Sequence, residues 1–400
     1  MKNLKSDFPV FENNPGLVYL DNAASTQKPK FVIDWVSEFV SKDYANIHRW
    51  LYSLSERSEE LYIQSKEKIA KFINCKHSEI FYSYNSTYWI NIISQSLANS
   101  WFLKKWDNIL LGIWEHHSDI LPWMILSEKF GFGIRFIEIS DDYSIDWNDF
   151  DKKYDESIKL VACSHVSNVT WWIYDLKKLK SKLNPETFFL VDWSQSVPNI
   201  KVDVQDIGCD CLVFTWHKLM AYTGIWAIYL KNEWIKKLMP MFGGGGTVQD
   251  VSQDWYNFFS TIDKFESGTP NIIWAVSMLR AIEYIDNIWW INYIRQNEIE
   301  LIDYALQKFE SLSDKINLIW PIKSNDRVGV FSFNVIGKKN QNMIWEIFAE
   351  KNICVRCGWH CAYPLHKFLD KSGTCRMSLY IYNDKQDIDQ FFDVLESIIY

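Results

Sequence analysis

FFLVDWSQSVPNIKVDVQDIGCDCLVFTWHKL, residues 188–219, is the stretch that decides the fold. It opens on an apolar run, Phe188–Asp192, that ends on a carboxylate. A second β-rich run, Cys211–Thr215, delivers Lys218 just beyond its end. Working outward, further strand candidates are Glu79–Ser83, Asn108–Gly112, Ile134–Ile139 and Lys159–Ser164. Helical patterns such as Asp119–Phe130 and Asp175–Leu183 lie between several of them. That alternation predicts an α/β layer with a mostly parallel sheet. Ligands of such sheets sit at the carboxyl ends of the strands. After Pro270 come a long helical region, Ile272–Leu312, a strand near Gly329–Val335 and a last helix, Lys385–Ile399. They read as a smaller α+β domain. The expected division is residues 15–270 and 271–400, with residues 1–14 packing on the second unit.

The chain has 400 residues, of which 48% are hydrophobic, enough for a sizeable core. A formal net charge of −8 with no basic block argues against nucleic acid or an anionic membrane as partner. Residues 1–14 lack the apolar run of a signal peptide, and no apolar stretch is long enough to span a bilayer. The eight cysteines are sparse and irregular, which fits a reducing cytoplasm better than a disulfide framework.

A lysine beyond a strand end can form a Schiff base with an aldehyde cofactor, although a surface lysine fits the same segment. Asp192, at a strand tip, can pair with a protonated pyridine nitrogen and keep the ring an electron sink. A helix N-cap is its competing role. Gln195 could donate to the ring's phenolic oxygen. In WEHHSDILPW, residues 114–123, His116 could stack on a pyridine ring, while His117 reads as structural. Ser86 and Thr87 start a helix, where N–H groups and hydroxyls bind phosphate or simply cap the helix. Asn168 in HVSNVT completes the set.

Nine segments occur in one order: YLDNAAS (19–25), IHRW (47–50), EHHSDILPW (115–123), HVSNV (165–169), VDWSQSVP (191–198), HKL (217–219), TGI (223–225), FESGTPN (265–271) and VRCGWHCAYPL (355–365). Together they resemble the class V aminotransferase superfamily and, within it, the group II, Suf-type cysteine desulfurases. The resemblance implies fold type I architecture, pyridoxal 5'-phosphate (PLP) as cofactor, and a cytoplasmic homodimer with active sites at the interface. It implies that Thr215 and His217 bind the phosphate within one subunit and that Thr269 reaches the partner's phosphate. The implied reaction turns L-cysteine into L-alanine and an enzyme persulfide, which passes to a Suf-type acceptor for iron–sulfur cluster assembly. Selenocysteine lyase, cysteine sulfinate desulfinase and an inactive partner-binding paralogue share the same pocket residues and stay open as alternatives. A transaminase would not need Cys361.

ICVRCGWHCAYPLH, residues 353–366, holds three cysteines and two histidines. A metal site is one reading, but the spacing matches no zinc motif well. The catalytic reading places Cys361 on a loop as a mobile thiolate favoured by Arg356 and His360. The resemblance to the family's RTGHHCA segment singles out Cys361 as persulfide carrier, making Lys218, Cys361 and His116 the catalytic candidates. Cys357 stands where that pattern has Thr, and is either a second thiol or a small filler. Arg376, in TCRMSLY ahead of an expected strand, would grip the substrate carboxylate by a two-point fork, with Arg356 and Asn168 alongside.

Composition carries one anomaly: 21 Trp against 15 Gly, about half the usual glycine share of roughly 7%. Trp50, Trp89, Trp106, Trp171, Trp193, Trp216, Trp226, Trp274, Trp289 and Trp320 all stand where the family has Gly or a very small residue. Overpacking typically costs ~1–3 kcal/mol per site, so ten such sites together could exceed a stability of roughly 5–15 kcal/mol. The pattern predicts UGA codons that the organism reads as glycine and the written sequence renders as tryptophan. A tryptophan-rich paralogue without activity is the competing reading.

Overall fold

In the computed structural model, described for residues 4–48, 51–288, 291–319, 323–337 and 340–400, a seven-stranded sheet organises the first two-thirds of the chain. Its strands are β1 (Ile80–Ser83), β2 (Asn108–Gly112), β3 (Gly133–Ile137), β4 (Ile158–Ser164), β5 (Phe188–Asp192), β6 (Cys211–Val213) and β7 (Trp226–Leu230). The order is β1-β7-β6-β5-β4-β2-β3, and only β7 runs against the rest. The expected strands are thus present with small shifts of boundary, and β7 is an addition.

The apolar run that ends at Asp192 has a simple cause. Side chains alternate across a strand, and both faces of β5 are covered. Phe188 and Leu190 enter one buried cluster, with Leu160 and Val213, while Phe189 and Val191 enter the other, with Val161 and Leu212. A strand buried on both sides has no polar positions until its tip. The helix Lys30–Lys42 and the helix Ser53–Ile73 both pack on Ile272–Ile288.

A second sheet of four antiparallel strands follows: β8 (Ile316–Ile319), β9 (Val330–Val335), β10 (Arg356–Gly358) and β11 (Thr374–Ser378), in the order β8-β9-β11-β10. Ile302, Phe309, Phe348, Phe391 and Leu395 from its helices bury its apolar face. Near the N-terminus, Val18–Tyr19 pairs in parallel with Ile353–Cys354, and Lys5 forms an ion pair with Asp387 at 2.5 Å. Arg376 lies within β11 rather than ahead of a strand, because Thr374–Ser378 pairs on both sides.

Cys357 is neither a free thiol nor a plain filler: its sulfur is bonded to that of Cys375, the facing residue of the neighbouring strand. Among the described residues no helix is long and apolar enough to cross a membrane.

The tryptophans leave a backbone signature. Trp106 has φ +80° and Trp171 φ +63°, in the left-handed region that a residue with a bulky side chain rarely adopts and glycine takes freely. Trp101, which the sequence alone did not flag, has φ +58°. Trp193 and Trp216 bury their indole N–H groups without a hydrogen-bond partner among the described residues, an arrangement that costs about 1–3 kcal/mol each. Trp50, Trp289 and Trp320 lie outside the described residues.

Candidate active site

The carboxyl ends of β1, β4, β5 and β6 converge on a cavity of about 320 Å³, closed on its far side by Arg356 and Arg376 of the second sheet. Eleven of the thirteen residues expected at the site line it: Ser86, Thr87, His116, Asn168, Asp192, Gln195, Thr215, His217, Lys218, Arg356 and Arg376. Cys361 stands beside it, one residue after the lining His360. Thr269 is not brought to this cavity; it lines a separate pocket with Tyr84, Tyr88 and Glu266.

Lys218 ends a short turn, Trp216–Lys218, just past β6. Burial lowers its ammonium to about 8; Asp192 opposes that shift, and Arg376 and Arg356 add to it. A lysine brought to that range has neutral amine available for covalent chemistry. Asp192 accepts the backbone N–H of Ser194 at 2.8 Å, and burial raises its carboxyl while Lys218 pulls it back. No helix starts there, so its capping role falls away.

His116 accepts the backbone N–H of Ser118 on Nδ1 at 3.1 Å, which leaves its proton on Nε2. Desolvation holds the ring neutral, down to about 3, with Lys218 the next cause. It is therefore a flat, uncharged face in the cavity wall. His217 is likewise lowered to about 3, mainly by burial, and its Nδ1 has no partner among the described residues.

At the opposite end, the helix Ser86–Asn99 is capped by Asn85, whose side chain accepts from Tyr88 N–H at 2.7 Å. Ser86 and Thr87 are thereby released from capping. The Ser86 hydroxyl meets Thr215 at 3.0 Å, and Thr215 meets Ser194 at 2.5 Å. Ser194 is a hydroxyl that the sequence reading passed over, although it lies inside a quoted motif. Trp226 also enters here: its indole N–H donates to Thr215 Oγ1 at 3.1 Å, and its ring lies 5.3 Å from that of His217.

Arg376 is 2% exposed, and its guanidinium is lowered to about 10 by burial, with Asp21 opposing. Asp21 Oδ1 accepts from Nη2 at 3.3 Å, while Nε is buried with no partner among the described residues. Asp21 lies within YLDNAAS, and nothing in that motif by itself points to Arg376. Trp171 lies against the same guanidinium, 5.4 Å from ring centre to Cζ.

Cys361 sits on a turn in which His360 and Cys361 both have positive φ, +48° and +57°. The turn is clamped from the large sheet's side. Asn168 Nδ2 donates to the His360 carbonyl at 2.6 Å, and His117 N–H donates to the Cys361 carbonyl at 2.8 Å. The loop is thus held rather than free at its backbone. His360 is kept neutral by burial and bonds through Nε2 with Thr374, so it supplies no charge to a thiolate; the positive groups are Arg356 and Arg376. Among the described residues no three His, Cys, Asp or Glu side chains gather as a metal cage.

The cavity's donors fit PLP: an amine, a carboxylate facing it, a flat neutral imidazole, a cluster of hydroxyls at a helix start, and unpartnered atoms on His217, Asn168 and Arg376. Against known proteins, the aminotransferase class-V profile matches residues 18–391. The chain belongs to the class-V aminotransferase family. Within this family it is 35% identical over 99% of its length to a probable cysteine desulfurase of Synechocystis sp., covering 95% of that protein. It is 34% identical to a cysteine desulfurase of Wigglesworthia glossinidia brevipalpis, with 99% and 96% of the two chains covered. Among solved structures it matches the apo cysteine desulfurase of Thermococcus onnurineus NA1 with a TM-score of 0.93 and 33% identity, over 100% of this chain and 98% of the other. The desulfurase CsdA of Escherichia coli matches with a TM-score of 0.89 and 26% identity, over 98% and 97%. The fold is accordingly the α/β fold type I of PLP-dependent transferases, and the chain is a PLP enzyme of that family.

Proposed function

We propose that this enzyme is a cysteine desulfurase of the Suf type that moves sulfur from free L-cysteine to Cys361 and releases L-alanine. The observation that carries the reading is the facing of two groups across one cavity: an amine lowered to about 8 on the large sheet, and a clamped cysteine turn beside two arginines on the small one.

PLP, when bound, supplies an electron sink that makes the substrate Cα–H acidic and weakens the Cβ–S bond toward attack at sulfur. Lys218 would hold the cofactor and, once released from it, move the proton at Cα. Asp192 would pair with the pyridine nitrogen, His116 would stack on the ring and Gln195 would donate to the phenolic oxygen. Ser86, Thr87, Thr215 and His217 would hold the phosphate, joined by Thr269 of a second subunit in a homodimer. Arg376 turns its unpartnered Nε and a neighbouring N–H to the substrate carboxylate, with Asn168 and Arg356 beside it. The Cys361 thiolate attacks the substrate sulfur. The carbon–sulfur bond breaks as the sulfur–sulfur bond forms, and thiol plus cysteine becomes persulfide plus alanine. A Suf-type acceptor protein in the cytoplasm then takes the sulfur for iron–sulfur cluster assembly.

The proposed domain division is residues 15–270 and 271–400, with residues 1–14, of which 1–3 lie outside the described residues, on the second; Lys5 paired with Asp387 and Phe8 against Tyr382 support that placement.

Trp226, whose indole N–H donates to Thr215 Oγ1, crowds the end of the cavity where the phosphate would sit. One experiment tests the proposal. The purified protein is mixed with PLP and L-cysteine, and alanine is measured. Visible colour with alanine release supports the desulfurase; a coloured protein that releases no alanine would overturn it.

A further inference from the structure

Arg356–Gly358 is a three-residue strand at the edge of the second sheet, and its residues face Arg376, Cys375 and Thr374 in turn. Side chains alternate along a strand. Arg356 and Arg376 therefore share the cavity side, while Cys357 and Cys375 share the other, against the core of the second sheet. Like charges directly opposite one another push paired strands apart. A strand with three pairs has little else to hold its register, and a slip of one residue would turn Arg356 away from the cavity. The Cys357–Cys375 bond opposes both effects, since it ties the positions next to the two arginines. It also closes the base of the segment between them, which carries Cys361. Cys375 is buried, whereas Cys357 is partly exposed. The other six cysteines are free, so this bond is not part of a general disulfide scaffold.

We propose that Cys357–Cys375 is a reversible redox site whose closed form holds Arg356 and Arg376 in position to grip the substrate carboxylate. The inference rests on the desulfurase reading of the cavity. Closure uses a low-molecular-weight disulfide such as cystine. The Cys357 thiolate attacks one of its sulfurs and expels one cysteine. The Cys375 thiolate then attacks Cys357 sulfur and expels the second. Two protein thiols are oxidised and one external disulfide is reduced to two thiols. Opening is the reverse, driven by excess thiol, so the oxidised and reduced forms of the substrate itself set the state of the site.

The test uses the full-length holoenzyme, treated with cystine or with a dithiol and then desalted. Alkylation and mass measurement count the free thiols in each form. Each form is titrated with L-alanine, which carries no thiol, and the cofactor absorbance is followed. The expected result is loss of alkylation at Cys357 and Cys375 after cystine, with no added cysteine on either and read by peptide mapping apart from any mixed disulfide at Cys361, and L-alanine binding at least about fivefold tighter in that form. Cys357→Ser should bind like the open form whatever its treatment, while Cys75→Ser should keep the difference. Equal L-alanine affinity in the two wild-type forms, or both thiols still alkylated after cystine, would overturn the inference while leaving the desulfurase reading intact. A holoenzyme that gives no spectral response to L-alanine in either form would overturn that reading, and this inference with it.

Discussion

The backbone N–H of His117 donates to the carbonyl of Cys361 at 2.8 Å, and the His117 ring accepts the Tyr363 N–H on Nε2 at 3.0 Å. The same ring stacks on Tyr363 with centroids 5.1 Å apart. The residue next to the cavity histidine thus holds the turn on the C-terminal side of the thiol, while Asn168 holds the His360 carbonyl before it. His117→Ala keeps the backbone bond and loses the other two contacts. It should leave cofactor absorbance unchanged and lower kcat about tenfold, equivalent to ~1.4 kcal/mol. Steady-state alanine formation from L-cysteine checks this. An unchanged kcat would mean that the clamp does not position the thiol.

Cys361→Ser should bind PLP with the wild-type spectrum and release neither alanine nor sulfide from L-cysteine beyond a background at least about a hundredfold lower. Full turnover by this variant would remove Cys361 from the reaction.

The Lys218 ammonium is lowered to about 8 by burial, so the fraction of neutral amine grows as pH rises through that value. Capture of added PLP by the apoprotein needs the neutral amine. Its rate should climb between about pH 7 and pH 9 and level off above. His116, held neutral down to about 3, should add no break near neutral pH. Stopped-flow absorbance across this range gives the profile, and a flat one would contradict the assignment.

Trp226 holds the hydroxyl of Thr215, and Trp171 combines φ +63° with contact to Arg376. Trp226→Gly should tighten PLP binding at least about tenfold, ~1.4 kcal/mol, and Trp171→Gly should raise stability by relieving a left-handed backbone. Fluorescence titration and thermal melting measure the two. The mass of the protein from its own organism, lower by one indole side chain at each recoded position, tests the UGA reading; UGG codons at positions 193, 216 and 226 would end it.

Much of this architecture was legible because its signals are local. Phe188–Asp192 and Asn108–Gly112 announce buried strands by unbroken apolar runs, and their boundaries coincide with the strands observed. The ordered motifs hold seven of the eleven expected residues that line the cavity, and Ser86, Thr87, Thr215 and Arg376 come from segments outside them. What stayed hidden depends on tertiary pairing. Cys357 and Cys375 are separated by 18 positions, and only the register of β10 on β11 brings them together. The role of His117 needs the cysteine turn folded over it. Asp21 acquires meaning only beside Arg376, which β11 supplies from the other end of the chain. The neutrality of His360 follows from burial, which its loop setting in the sequence does not reveal.

Every step of the mechanism depends on the amine at position 218 carrying the cofactor. Borohydride reduction of the PLP-loaded protein, followed by digestion and peptide mapping, locates that attachment. One modified peptide is expected, with the pyridoxyl group on Lys218 and none in Lys218→Ala. A pyridoxyl group on another lysine, or a reduced protein bearing none, would contradict it.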